Sequence, residues 1–189
     1  MDLIAELRKI LGEGKVLTGG ETARFDHDWT GKYRFRPLAV VRPGSTDEAS
    51  RVVRLAHETG TPVVPVGGNT GLAGGTAAEG ALMISLDRMN RVREIRRSAR
   101  IAVVEAGVIL SNLHAAAEAE GLVFPLTFGA RGSAMIGGAL STNAGGSNVV
   151  RYGSTRGLCL GLEVVLPDGR VMDLMSALHE SGATICMVT

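Results

Sequence analysis

The sequence predicts an α/β (α+β) chain in two lobes, and three observations carry that prediction. Short β-branched runs alternate with a helical pattern through residues 38–66, joined by short connections. Residues 63–75, VVPVGGNTGLAGG, place five glycines in nine residues directly after a strand pattern. Such a loop follows the carboxyl end of its strand, and its bare N–H groups can wrap closely around a phosphate. A second glycine cluster, residues 129–153 (GARGSAMIGGALSTNAGGSNVVRYG), repeats that chemistry some sixty residues later. Two such loops point to a long ligand held at more than one place, for which a diphosphate-containing cofactor is the natural candidate.

From the start of the chain, Leu3, Ile4, Leu7, Ile10 and Leu11 fall at the i, i+3, i+4, i+7 spacing of an amphipathic helix over residues 2–11, ended by Gly12 and Gly14. Residues 38–42 (LAVVR) read as a buried strand and Pro43-Gly44 as a turn. Ser45 or Thr46, with Glu48 nearby, caps a helix that runs through His57 and stops at Gly60. The strand 63–66 follows. Residues 82–85, 92–95 and 101–106 supply three more strands, separated by polar or charged residues. Alanine-rich residues 111–120 (SNLHAAAEAE) close at Gly121, which predicts a helix with a glycine C-cap. Residues 158–166 and 170–174, joined by Pro-Asp-Gly, predict a hairpin. No internal repeat, linker or low-complexity segment interrupts this order.

Composition excludes several function classes. With 189 residues and 45% hydrophobic content the chain can bury a full core. Twenty basic residues against 19 acidic ones leave no net field for nucleic acid or an anionic membrane. No apolar run approaches the roughly 20 residues of a membrane span. The opening MDLIAELRKI is unlike a signal peptide, which makes the cytoplasm the default compartment. Cys159, placed in a strand, and Cys186, near the end, form no CxxC, and no histidine pair has ligand spacing. Structural disulfide and zinc are therefore not expected. Arg91, Arg93, Arg96, Arg97 and Arg100 resemble a basic patch, but Asp87 and Glu94 dilute it and no aromatics interleave for base stacking.

Two nucleotide signatures fail. A Walker A loop needs Gly-Lys followed by Ser or Thr, and Gly14-Lys15 is followed by Val16. Neither glycine cluster has the G-x-G-x-x-G of a Rossmann fold. Of the histidines, His57 and His114 fall inside predicted helices, where a solvated or half-buried imidazole is the ordinary state. His27, in FDHDWTGKYRF, either packs its loop or lines a site. Arg34 and Arg36 are either solvated or attract a carboxylate.

The stretches PLAVVRPGSTDEASRVVRLAHETGTPVVPVGGNTGLAGG and FPLTFGARGSAMIGGALSTNAGGSNVVRYGSTRGLCLGLEVVLPDG closely resemble the FAD-binding domain of vanillyl-alcohol-oxidase-type flavoproteins. Within them the similarity is greatest to the D-2-hydroxyacid dehydrogenases, the branch that includes D-2-hydroxyglutarate dehydrogenase, D-lactate dehydrogenase and the glycolate oxidase FAD subunit. It extends over roughly residues 3 to 176. The resemblance implies two α/β lobes, about 1–106 and 107–189, with FAD between them. It implies pyrophosphate contacts from Val66, Gly67, Gly68, Asn69, Thr70, Gly71 and Leu72, with Pro65 shaping the turn, and that Gly68 and Gly71 tolerate no side chain. A second set comprises Pro125, Leu126, Gly132, Ser133, Ile136, Gly137, Gly138, Thr142, Asn143, Gly145 and Gly146. In it Thr142 and Asn143 serve as side-chain donors and the glycines allow close packing against the flavin ring. Relatives with a covalent flavin commonly carry histidine where this chain has Asn69, so the FAD is expected to be noncovalent.

The resemblance also implies the chemistry of the complete family enzyme: a base takes the hydroxyl proton of a small 2-hydroxy acid while the C2 hydride passes to flavin N5. In the family the hairpin is followed by a segment that completes the adenine side of the site. Here HESGATICMVT follows Leu178, with Ser181, Thr184 and Met187-Val188-Thr189 as a remnant of that segment. The second lobe is thus expected to be incomplete and the substrate domain absent. No catalytic residue and no metal ligand is assigned to this chain, and a completing subunit is a possible partner. Two alternatives stand beside this reading: an inactive FAD-binding module or gene fragment, and another flavoenzyme on the same scaffold.

Overall fold

The computed structural model describes residues 2–175 and the backbone of the strand Cys186–Val188. Ser181, Thr184 and Thr189 lie outside the described residues, as do the side chains of Met187 and Val188. The chain divides into two compact units, residues 1–88 with 165–171, and residues 89–164 with 172–189.

In the first unit, α1 (Leu3–Leu11) is capped by Asp2, whose carboxylate accepts from the N–H groups of Ile4 and Ala5 at 3.1 and 3.3 Å. After β1 (Val16–Leu17) and a 3₁₀ turn, Gly19–Phe25, come β2 (Ala39–Val41), α2 (Thr46–Glu58), β3 (Val63–Val66) and β4 (Leu82–Ser85). Ser45 is the N-cap of α2. Its hydroxyl accepts from the Glu48 N–H at 3.1 Å while the Glu48 carboxylate accepts from the Gly44 N–H at 2.7 Å.

The sheet order is β1-β2-β4-β3, with β2 and β3 both parallel to β4 and β1 antiparallel to β2. Successive side chains alternate between two buried faces. Ala39, Val41, Leu82 and Ile84 join Leu7, Leu11, Val52 and Leu55 from the helices in one cluster. Val40, Met83 and Val66 pack with Phe25 and Phe35 in another. Both faces of the central strands are therefore apolar, as a parallel arrangement requires.

The second unit begins with β5 (Val92–Arg96) and β6 (Ile101–Glu105), followed by α3 (Leu110–Ala119), α4 (Ile136–Ser141), α5 (Val149–Tyr152), β7 (Gly161–Val165), β8 (Val171–Asp173) and β9 (Cys186–Val188). The strand order is β5-β6-β9-β7-β8, and β9 is parallel to both β6 and β7. Ala102 and Val104 of β6 face a core that includes Leu110, Leu113, Phe124, Leu126, Ile136 and Leu140, whereas Ile101 and Val103 face the other side.

Three expectations change. The boundary falls after Arg88 instead of near residue 106, because β5 and β6 pair with each other and belong to the second sheet. The turn 165–171 returns to the first unit, where the Ser50 hydroxyl donates to the Gly169 carbonyl. The second glycine cluster is not one loop, since it folds into α4 and α5. The hairpin strands are also shorter than expected, because Thr155–Leu158 forms a 3₁₀ turn that leaves Cys159 ahead of β7 instead of inside it.

Candidate functional site

The first glycine segment leaves β3, an edge strand, where Pro65 costs the sheet no ladder hydrogen bond. Val66 anchors the exit. Its side chain is buried and its carbonyl accepts from the Leu86 N–H at 3.1 Å, so only its backbone can face a ligand. Gly67, Gly68, Asn69 and Thr70 are partly exposed, and Gly71 and Leu72 are exposed. Among the described residues, none accepts a hydrogen bond from the backbone N–H groups of residues 67–73.

Asn69 holds this segment in shape. Its backbone is left-handed, φ 50°, a conformation that asparagine tolerates better than most residues. Its Nδ2 donates to the His27 carbonyl at 2.8 Å and its Oδ1 accepts from the Thr76 hydroxyl at 2.8 Å. A second attachment lies at Gly74, φ 69°, where an added Cβ would stand 3.0 Å from the Tyr33 ring.

His27 and Tyr33 belong to a small hairpin over residues 26–35 that sequence reasoning did not foresee. It is closed by Asp28 N–H to Tyr33 carbonyl at 3.1 Å and Phe35 N–H to Asp26 carbonyl at 2.9 Å. Asp28 organises the turn from a buried position, accepting from the Thr30 hydroxyl and the Tyr33 N–H. Burial would raise the Asp28 carboxyl, but these hydrogen bonds outweigh it and hold the group below the usual aspartate range. The signal was present in the alternation of FDHDWTGKYRF around an Asp-x-Thr-Gly turn. The His27 ring pairs with the Asp26 carboxylate at 2.6 Å, and its backbone carbonyl is what serves the glycine segment.

The second segment is built around α4. Leu126 and Ile136 bury their side chains in the core, which leaves only their backbones for a ligand. Gly137 is also buried: a Cβ there would stand 2.8 Å from Ala106 Cβ, so this glycine serves helix-on-strand packing and not a ring. Gly146, φ 67°, meets the Thr127 carbonyl in the same way, and Gly145 lies against Val149. Pro125 is fixed by Asn148, whose Nδ2 donates to the Pro125 carbonyl at 3.0 Å. Gly132, Ser133 and Gly138 are exposed.

Thr142 differs from expectation. Its hydroxyl donates to the Gly138 carbonyl at 2.9 Å, one turn back along the helix, so toward a ligand it is an acceptor. Asn143, exposed and left-handed at φ 52°, accepts the Arg156 N–H on Oδ1 at 3.0 Å.

The buried charge of the second unit lies at the end of β6. Glu105, fully buried, accepts from the Arg91 N–H, from the Arg91 guanidinium at 2.8 Å and from Arg93 at 3.2 Å. Burial pushes its carboxyl up, but the Arg91 and Arg93 bonds and the Arg91 charge prevail and hold it below the ordinary glutamate value. Arg96 pairs with Glu94. Much of the basic patch seen in the sequence is thus committed to carboxylates.

Open space at particular glycines tests the fit to FAD. Cβ positions at Gly71, Gly132 and Gly138 have no protein atom within 4 Å, and none of the three has a left-handed backbone. Among the described residues nothing demands glycine there, so the expectation that Gly71 rejects a side chain rests on a ligand. In the first unit, the N–H groups of residues 67–73, which meet no acceptor among the described residues, suit an anionic oxygen. In the second, the open faces of Gly132 and Gly138 leave room for a flat group. Among the described residues no three His, Cys, Asp or Glu side chains cluster to hold a metal, and no helix is long and apolar enough to cross a membrane.

Comparison with known proteins agrees with this fit. Residues 37–175 match the family model described as an FAD binding domain. The chain is 46% identical over 167 residues to the D-2-hydroxyglutarate dehydrogenase of Xanthomonas citri pv. viticola, covering 86% of this chain and 35% of the relative. It is 40% identical over 174 residues to that of Stutzerimonas stutzeri, covering 91% and 38%. It is 39% identical over 181 residues to the mitochondrial enzyme of Bos taurus, covering 95% and 33%. The chain therefore spans about a third of the length of the relatives it matches.

Among solved structures, alkyldihydroxyacetonephosphate synthase superposes with a TM-score of 0.81 at 21% identity, over 95% of this chain and 39% of that one. The 4-ethylphenol oxidase of Gulosibacter chungangensis superposes with 0.75 at 28% identity, over 95% and 36%. The two-sheet architecture, the paired glycine segments and the family match together show that the chain belongs to the FAD-binding domain family, with the fold of the vanillyl-alcohol-oxidase type.

Proposed function

We propose that this chain is the FAD-holding part of a flavin-dependent D-2-hydroxyacid dehydrogenase. The observation that carries the reading is the run of N–H groups over residues 67–73 that meet no acceptor among the described residues, held in a fixed curve by Asn69. The backbones of Val66, Gly67, Gly68, Asn69, Thr70, Gly71 and Leu72 meet the pyrophosphate. In the second segment Gly132, Ser133, Gly138 and Asn143 offer exposed contacts, while Pro125, Leu126, Ile136, Gly137, Gly145 and Gly146 shape the backbone beneath them. Thr142 contributes a hydroxyl oxygen.

When bound, FAD supplies the two-electron acceptor for oxidation of a 2-hydroxy acid. The attachment is noncovalent, because the amide of Asn69 is not a nucleophile and both of its ends are engaged within the protein. The dehydrogenase assignment, and D-2-hydroxyglutarate as its first candidate substrate, rest on relatives three times as long as this chain. The groups that bind and deprotonate the substrate belong to sequence that those relatives have in addition, on the same chain or on a completing subunit.

A chimera tests this reading. The present residues replace their counterparts in the Xanthomonas relative, and the product is purified and mixed anaerobically with D-2-hydroxyglutarate. Uptake of FAD and bleaching of its band near 450 nm by the D but not the L enantiomer is the expected result. Failure to take up FAD contradicts the cofactor assignment. A chimera that holds FAD but is not bleached contradicts the substrate assignment.

A further inference from the structure

The segment that leaves α4 is gripped by residues that follow α5. The last carbonyls of α4 are satisfied in sequence. Gly138 accepts from the Thr142 N–H and hydroxyl, Ala139 from the Ala144 N–H at 2.8 Å, and Leu140 from the Asn143 N–H. Arg156 completes the set, with Nε donating to the Leu140 carbonyl at 3.1 Å and Nη2 to the Ser141 carbonyl at 2.8 Å. Among the described residues Ser141 has no other donor to its carbonyl. Next to it Thr155, fully buried, donates both its N–H and its hydroxyl to the Ala144 carbonyl, at 2.9 and 2.6 Å.

Arg156 also sets the direction of a side chain. Its backbone N–H reaches the Asn143 side chain at 3.0 Å, and an N–H can be met only by an acceptor, so the amide oxygen faces Arg156. The Asn143 amide nitrogen is thereby turned the other way. Among the described residues it donates to nothing. The guanidinium, meanwhile, covers the negative end of α4, which would otherwise repel an electron-rich group placed beside Asn143.

The geometry points to Arg156 as a positioning residue for the cofactor, acting through Asn143. Its backbone N–H orients the Asn143 amide, and its guanidinium fixes the helix end from which Asn143 projects. Asn143 then presents N–H donors alone to an oxygen or ring-nitrogen acceptor of FAD. This inference rests on the reading that the chain binds FAD and that Asn143 touches it. Arg156 itself need not touch the cofactor.

The test is a double-mutant cycle on FAD affinity, read by quenching of flavin fluorescence, with the wild-type chain and the variants R156A, N143A and R156A/N143A. R156A leaves the backbone N–H to Asn143 in place but removes the guanidinium that fixes the helix end from which Asn143 projects. It weakens binding by about tenfold, as loss of charge-assisted bonds that hold one ligand contact predicts. In the N143A background the same change costs less than about twofold, because the contact it supports is already gone. N143D keeps an acceptor for the Arg156 N–H but removes the donors; it melts like wild type without FAD and loses affinity as N143A does. If R156A does not fold, R156K, which cannot bridge both carbonyls, takes its place in the cycle with a weakening of about threefold. An R156A or R156K affinity equal to wild type overturns the inference, and so does an undiminished effect in the N143A background. A wild-type chain that binds no FAD fails earlier, at the cofactor reading itself, which separates the two failures.

Discussion

The side-chain amide of Asn69 donates to the backbone carbonyl of His27 at 2.8 Å, which ties the first glycine segment to a hairpin 42 residues earlier in the chain. The other end of the same amide accepts from Thr76, so one side chain fixes both the entry and the exit of the loop. Its left-handed backbone makes the position doubly demanding.

Asn69→Ala therefore removes two hydrogen bonds and places a Cβ-bearing residue with no compensating polar group at φ 50°. A loss of about 2 kcal/mol in stability is expected from these effects together. FAD affinity falls as well, because the N–H groups of residues 67–73 no longer share one curve. Thermal melts with and without FAD read both quantities, and a variant that matches wild type in each would refute the anchoring role.

Gly137 and Gly138, adjacent in α4, should respond oppositely to alanine. At Gly137 the new methyl would lie 2.8 Å from Ala106 Cβ and 3.1 Å from its carbonyl, so overpacking by about 1–3 kcal/mol is expected without any ligand. At Gly138 the new methyl meets no protein atom, and the apo chain should gain up to about 1 kcal/mol of helix propensity. FAD affinity should nevertheless drop in Gly138→Ala. Melting of the two apo variants, followed by FAD titration of the second, distinguishes packing glycine from ligand-facing glycine.

The Glu105 carboxylate gives the second unit a pH dependence of definite sign. Its folded pKa is depressed relative to the unfolded chain, so its contribution is complete above the ordinary glutamate value and is lost as pH falls through the lower, folded value. Glu105→Gln should lower stability at neutral pH by about 3 kcal/mol, the low end for a broken buried pair because Arg91 is largely in water. The variant should also lose part of the wild-type decline between neutral and strongly acidic pH. Urea titrations across that range measure it, and parallel curves for the two proteins would contradict the assignment.

The elements that announced themselves in the sequence are those whose periodicity or capping is local. The residues of α1, a cap at Ser45 or Thr46, β3 and β4 all follow from spacing within one element, and the structure selects Ser45. The second glycine cluster reads as a loop in the sequence because glycine content argues against helix. Gly137 and Gly138 are tolerated in α4 because Ile136, Ala139 and Leu140 are buried there and because Gly137 alone can approach Ala106. That is a tertiary reason no local pattern contains. The grip of Arg156 on α4 is equally hidden, since it is defined by carbonyls elsewhere in the chain. The hairpin over residues 26–35 carries a local turn signal, and only its tie to Asn69 is set from a distance. The candidate contacts themselves came from family resemblance, and the structure separates those whose side chains are in the core, Val66, Leu126 and Ile136, from those open to a ligand.

The central claim is that this chain binds FAD without a covalent bond. An absorbance spectrum of the purified chain, supplemented with FAD if it emerges colourless and freed of excess by gel filtration, tests it most directly. Flavin bands that co-elute with the protein, and a chromophore that passes wholly into the supernatant on acid precipitation, are the predicted result. A chain that remains colourless at saturating FAD would contradict the cofactor assignment, and colour retained in the acid pellet would contradict noncovalent attachment.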